Sequence, residues 1–152
     1  MIIICVEDDH LQFDSISKKI RQAFPGVTIE GIKTEKDFRD KMADFARKPP
    51  DVFIIDVMLR WTDPSPKMEL APKEVAEGGF FKAGLRCLQR LVSQEETKNI
   101  PVIFYTVLEK NNLEEDLKHI YGKFDFLEKD SDLSSLIQLI RKIKDDYKSI
   151  IK

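Results

Sequence analysis

Three stretches of this chain are apolar without a break: Ile2-Ile3-Ile4-Cys5-Val6, Val52-Phe53-Ile54-Ile55 and Val102-Ile103-Phe104-Tyr105. A strand with one face in water alternates apolar and polar residues, so an unbroken run predicts a strand covered on both faces. Helix-length amphipathic stretches separate the runs, as a parallel sheet with crossover helices requires. A further run, Phe124-Asp125-Phe126-Leu127-Glu128, follows, and Val27 to Ile32 alternates like a strand nearer an edge. Strand and helix alternate five times, which predicts a doubly wound α/β domain.

The residues at the ends of these runs carry the functional signal. The first ends at Glu7-Asp8-Asp9, the second at Asp56, the third at Thr106, and the last at Lys129. In doubly wound sheets, ligands bind just beyond the carboxyl ends of the strands. Neighbouring strands would therefore bring acids, a hydroxyl and an ammonium to one edge. Taken singly, an acid or threonine after a strand is usually a turn former or helix cap, and a lysine there a solvated charge. Four such ends together favour a site.

Between the runs, Leu11, Phe13, Ile16, Ile20 and Phe24 recur at helical spacing until Pro25-Gly26. Thr34 reads as the cap of a helix carrying Phe38, Met42 and Phe45, which Pro49-Pro50 ends. A helix from about Phe80 to Gln94 carries Phe81, Leu85, Leu88 and Val92. Leu113, Leu117 and Ile120 mark a short one. The last, from near Ser131, carries Leu133, Leu136, Ile137, Ile140, Ile143 and Tyr147. The stretch from Arg60 to Gly79 holds Pro64, Pro66, Pro72 and Gly78-Gly79 with little periodicity, and reads as a long loop leaving the strand that presents Asp56.

With 152 residues, the chain predicts a single domain, 1–152. A net charge of −2 gives no general attraction to nucleic acid or acidic membranes. Cys5 and Cys87 fall on apolar positions and read as buried thiols of a reducing compartment. The start turns acidic too soon for a signal peptide, and no apolar run approaches the ~20 residues that cross a bilayer, so a cytoplasmic protein is expected.

Three carboxylates within several ångströms repel, so one must take a proton or a cation must enter. A hard divalent ion suits such oxygen ligands, and Mg²⁺ is the usual one beside phosphate. An aspartate can attack phosphorus to give an acyl phosphate, with a cation, a lysine and a hydroxyl offsetting charge on the phosphoryl oxygens. No nucleotide fingerprint accompanies these residues.

In Ile3 to Asp9, Asp51 to Leu59, Ile100 to Thr106 and Phe126 to Lys129, the chain resembles the receiver domain of bacterial two-component response regulators. The motifs span nearly the whole chain apart from 60–79 and the final turns. The resemblance implies a flavodoxin-like (βα)5 fold with a five-stranded parallel sheet in the order 2-1-3-4-5. It implies Asp56 as phosphoacceptor, and Mg²⁺ held by Asp8, Asp56 and the Met58 carbonyl, with Glu7 acting through metal-bound water. Thr106 would contact the phosphoryl group and move inward on activation, Lys129 would pair with a phosphoryl oxygen, and Phe126 would be the switch aromatic. Asp9 reads more simply as the cap of the first helix.

The implied partners are a sensor histidine kinase or phosphotransfer protein and a downstream protein, with no direct DNA binding and no membrane. Homodimers, common among phosphorylated receivers, are a further expected assembly. The implied role is a single-domain signalling phosphoacceptor rather than an enzyme acting on an external substrate. A phosphorylation-independent interaction module of the same fold is the alternative. A phosphatase using Asp56 is disfavoured, because Met58 stands where such hydrolases place a second aspartate.

Three departures from the family pattern stand out. Asp130 follows the lysine where the family has a cis proline, and a trans peptide is expected because a cis bond without proline costs about 3–4 kcal/mol. Val107 replaces a small residue and would narrow access to the site; with apolar Met58 and Leu108 it predicts slow self-dephosphorylation. The 60–79 segment is an insertion, readable as a neutral surface loop or as a lid beside Asp56.

Overall fold

The computed structural model of the chain describes residues 1–67 and 69–150. Five strands, β1 (Ile2–Val6), β2 (Thr28–Ile32), β3 (Val52–Ile55), β4 (Val102–Thr106) and β5 (Phe124–Glu128), form one sheet in the order β2-β1-β3-β4-β5. Every pairing is parallel. This is the expected doubly wound topology, and the unbroken runs explain it: the four residues of β3 and five of β4 are all buried.

The helices are α1 (His10–Ala23), α2 (Glu35–Asp40), α3 (Met42–Arg47), α4 (Lys73–Gly78), α5 (Ala83–Val92), α6 (Glu114–Lys118) and α7 (Ser134–Ile150). Two apolar layers result, one on each face of the sheet. Ile3, Cys5, Ile54, Ile103 and Tyr105 face Ile16 and Ile20 of α1 and Leu136 and Ile140 of α7. Ile4, Phe53, Ile55 and Phe104 face Phe38, Phe45, Leu85 and Leu88. Alternation along each strand assigns successive side chains to opposite layers. Phe38, Phe45 and Phe53 pack with ring centroids 5.1–6.0 Å apart, Phe53 meeting both of the others edge-on, a geometry aromatics prefer.

Several boundaries differ from expectation. The helix predicted through Phe38, Met42 and Phe45 is two short helices joined at Lys41, yet all three side chains still reach the core. The helix from Phe80 opens as a 3₁₀ turn over Phe80–Lys82 before α5 begins. Within 60–79 the structure forms α4, anchored by buried Val75 and ended by Gly79 at φ 69°, so this segment is partly helical rather than wholly loop. The last helix starts at Ser134, with Asp132 Oδ1 accepting from the Ser134 N–H at 3.0 Å. Tyr147, read as its last apolar position, lies outside the described side chains. No helix among the described residues is long and apolar enough to cross a membrane.

Candidate functional site

The carboxyl ends of β1, β3, β4 and β5 share one edge of the sheet, and backbone pairing continues just past them. Glu7 N–H donates to the Ile32 carbonyl and Asp56 N–H to the Val6 carbonyl, both at 2.9 Å. Lys129 N–H donates to the Thr106 carbonyl at 2.8 Å. The residues that follow the strands are thus held almost as firmly as the strands.

Lys129 reaches across this edge. Its Nζ donates to Glu7 Oε2 at 2.6 Å and to Asp56 Oδ2 at 2.7 Å. Both acids are buried, Glu7 4% and Asp56 6% exposed. Asp56 Oδ1 accepts from the Met58 N–H at 3.1 Å, and Glu7 Oε1 accepts from the Asp9 N–H at 3.1 Å. Asp9 itself caps α1, its Oδ1 accepting from the N–H groups of Leu11 and Gln12, as its neutral reading predicts. Gly84, at the start of α5, lets the helix approach: a Cβ there would stand 2.4 Å from the Asp56 carbonyl oxygen and 2.7 Å from Val57 Cα.

Asp8 is directed elsewhere. Its Oδ2 accepts from the Arg60 N–H at 3.3 Å and Arg60 Nε at 3.4 Å. These contacts are long and the guanidinium is 42% exposed, so they bind weakly. Thr106 is fully buried, with Oγ1 accepting from the Leu108 N–H at 3.4 Å; among the described residues it has no hydrogen bond to Asp56. Phe126 is partly buried against the core, its ring 6.3 Å from that of Phe104. Val107 is 59% exposed.

The expected cluster of three acids therefore appears in altered form. Among the described residues, no group of three His, Cys, Asp or Glu side chains is placed to hold a metal ion. The repulsion that predicts a cation is met by the chain's own cations: Lys129 between Glu7 and Asp56, and Arg60 beside Asp8. The donor chemistry still fits Mg²⁺, since the carboxylates of Glu7, Asp8 and Asp56 and the Met58 carbonyl are all hard oxygens. Two of these carboxylates already share one cation in Lys129.

Burial pushes the Glu7 pKa up, by more than the Lys129 hydrogen bond pulls it down, and the nearby Asp56 charge adds to the rise. Burial pulls the Lys129 ammonium down, but Asp56 and Glu7 outweigh it and the net direction is up. The two directions are compatible: burial penalises both charges, and Lys129 has two carboxylate partners whereas Glu7 shares one ammonium. Burial also pushes the Cys5 thiol far up, leaving it a packing group rather than a nucleophile.

Sequence reasoning did not find the supports around this site. Glu35, 1% exposed, accepts from Arg86 Nε at 2.8 Å and Nη2 at 2.7 Å, and from Arg39 Nη2 at 2.8 Å. Its backbone N–H bonds the Arg60 carbonyl, and Arg86 also reaches the Gly79 carbonyl, so both ends of the 60–79 segment meet one buried acid. In the sequence Glu35 is only an acid in a first helical turn, a common exposed position. A groove of about 440 Å³ lined by Arg39, Arg86, Arg90 and His119 lies near this cluster and contains no site residue. The peptide after Lys129 is trans, as expected, and Tyr105 Oη contacts Asp130 at 2.9 Å.

No protein-family model matches this chain, and no curated protein matches it. Solved structures do. One is the phosphorylated cyanobacterial phytochrome response regulator RcpA, at 18% identity and TM-score 0.65, covering 94% of this chain and 90% of that one. Another is the signal receiver domain of a DNA-binding response regulator from Colwellia psychrerythraea, at 20% identity and TM-score 0.65, covering 95% and 98%. A third is the chemotaxis response regulator CheY4 of Vibrio cholerae, at 17% identity and TM-score 0.64, covering 93% and 97%. The chain has the receiver-domain fold.

Proposed function

We propose that this chain is a signalling phosphoacceptor, in which Asp56 takes a phosphoryl group from a phosphohistidine and a downstream protein reads the result. The observation that carries this is the single ammonium of Lys129 touching both Glu7 and Asp56, 2.6 and 2.7 Å away, at the edge where such a fold binds ligands. A buried carboxylate paired with a part-buried lysine, and reached by a backbone N–H, is a nucleophile with charge stabilisation already in place.

In the proposed transfer, a carboxylate oxygen of Asp56 forms the new O–P bond as the P–N bond of the donor phosphohistidine breaks. The bond's electron pair stays on the ring nitrogen, so that the imidazole, already protonated on its other nitrogen, leaves neutral. The Met58 N–H holds Asp56 Oδ1 and so fixes the plane of the nucleophile. Lys129 exchanges a carboxylate oxygen for a phosphoryl oxygen, keeping its hydrogen-bond count. Thr106 turns its hydroxyl from the Leu108 N–H toward the adduct, and Phe126 moves with it. Mg²⁺, held by Asp8, Asp56 and the Met58 carbonyl with Glu7 behind, would neutralise charge on the phosphoryl oxygens. Asp8 is free to join by exchanging its weak contacts with Arg60. The partners are a sensor kinase or phosphotransfer protein and a downstream protein, in the cytoplasm.

Incubation with acetyl phosphate and Mg²⁺, followed by intact mass measurement, tests this. One added phosphoryl group is expected on the wild type and none on Asp56→Asn. The adduct is expected to persist for minutes or longer, because Met58 and Leu108 offer no polar group to orient attacking water. No adduct on the wild type would favour the phosphorylation-independent interaction module instead.

A further inference from the structure

A lysine side chain is a flexible stem, so a part-buried ammonium with fixed partners needs a fixed backbone beneath it. On one side of Lys129 the support is ordinary: its N–H continues the β4–β5 ladder to Thr106. On the other side a single phenol does the holding. Tyr105 Oη donates to Asp130 Oδ1 at 2.9 Å and accepts from the Asp130 N–H at 3.2 Å, with the Asp130 carbonyl oxygen also at 3.2 Å. One hydroxyl thus fastens both the main chain and the side chain of the residue after Lys129.

The phenol is itself enclosed by the core. Tyr105 is 2% exposed and packs in the layer between the sheet and the helices α1 and α7. Burial pushes its pKa up, with Asp130 adding to the rise, so the hydroxyl keeps its proton throughout the neutral range. The loop beyond is equally constrained: Asp130 Oδ2 accepts from the Ser135 N–H at 3.4 Å, and Leu133 sits at φ 61°. A side-chain-bearing residue holds that conformation only where its surroundings dictate it.

We propose that Tyr105 and Asp130 are positioning residues that aim the Lys129 ammonium at Asp56 from the residue that follows it. The clamp rests on the phosphoacceptor reading for its consequence, and on the distances above for its existence. β4 then serves the site twice, since alternation sends Tyr105 under the lysine loop and leaves Thr106 at the phosphoryl end.

The test compares the wild type with Tyr105→Phe, Asp130→Ala and Asp130→Asn, each confirmed folded by its thermal transition. At saturating Mg²⁺ and acetyl phosphate, Tyr105→Phe and Asp130→Ala are expected to gain the phosphoryl group about tenfold more slowly or worse, the scale of a slightly misplaced group. Asp130→Asn keeps an oxygen for the phenol and is expected to stay near the wild-type rate. A merely structural hydrogen bond would lower stability without this order. Phosphorylation of Tyr105→Phe at the wild-type rate, or Asp130→Asn as slow as Asp130→Ala, overturns the proposal. Water exchange of the Lys129 ammonium protons, followed by NMR, is expected to quicken in Tyr105→Phe, and unchanged exchange also overturns it. If the wild type takes no phosphoryl group, the phosphoacceptor reading fails and the ammonium exchange alone decides the clamp.

Discussion

Lys129 is one ammonium serving two buried carboxylates, and that ratio sets how the site responds to substitution and pH. Lys129→Met would leave Glu7 and Asp56 as unpaired neighbouring charges, a change that costs about 3 kcal/mol when a buried partner is lost. Urea unfolding at pH 7 is expected to show this loss, and unfolding at pH 5 to recover part of it as one carboxylate takes a proton. Lys129's own contribution is present below its ordinary value near ~10.4 and is lost only as pH rises through its higher folded value, so it is constant across the neutral range. Glu7 behaves in the opposite sense to a salt-bridged surface acid. Its folded pKa is raised, so its favourable contribution belongs to pH below its ordinary range and is lost as pH rises through the folded value. Glu7→Gln, which keeps an oxygen for the Asp9 N–H, is therefore expected to gain in stability relative to the wild type between pH 4 and pH 7. A melting-temperature series that shows the gap narrowing instead would refute that assignment.

At the scale of elements, the contact of α5 with the turn after β3 is the most demanding. Gly84 N–H donates to the Val57 carbonyl at 2.9 Å, and no Cβ fits between the helix and the Asp56 backbone. Gly84→Ala is expected to destabilise by about 2 kcal/mol, the cost of overpacking less the helix propensity gained. It should also slow phosphorylation, because what must shift is Asp56 itself; an unaltered melting temperature would contradict this. The glycine was legible only as a residue inside an amphipathic helix, because close approach is a property of two elements and periodicity describes one. The same limit explains α4. Proline and glycine dominate its surroundings, and the short Lys73–Gly78 segment is tied down by long-range contacts: Val75 is buried against the rest of the molecule and Glu74 accepts from Arg39 Nη1 at 2.9 Å. The Phe38, Met42 and Phe45 face was legible, whereas the break at Lys41 left no mark, since three apolar residues keep their phase across it.

Across the whole molecule, the strands and their order were the most legible features, since both layers of the core draw on uninterrupted runs that admit few other arrangements. The end residues Glu7, Asp56 and Lys129 met as the sheet direction required. Asp8 meets Arg60, within the unpatterned segment, at 3.3 and 3.4 Å, and among the described residues it makes no hydrogen bond to the other three. Buried pairs such as Arg86 with Glu35, or Tyr105 with Asp130, join residues 51 and 25 positions apart and have no local signature. The convergence of both ends of 60–79 on Glu35 has a consequence for engineering. With its feet fastened, the chain between Trp61 and α4 spans a gap whose width no longer depends on its contour length, and each doubling of that length costs only about 0.6 kcal/mol. Replacing residues 63–71 by a short glycine–serine connector should therefore leave the melting temperature within a few degrees, and a reporter peptide grafted there should tolerate the same freedom. The segment is a ready port in a molecule whose remaining crossovers are held by packing.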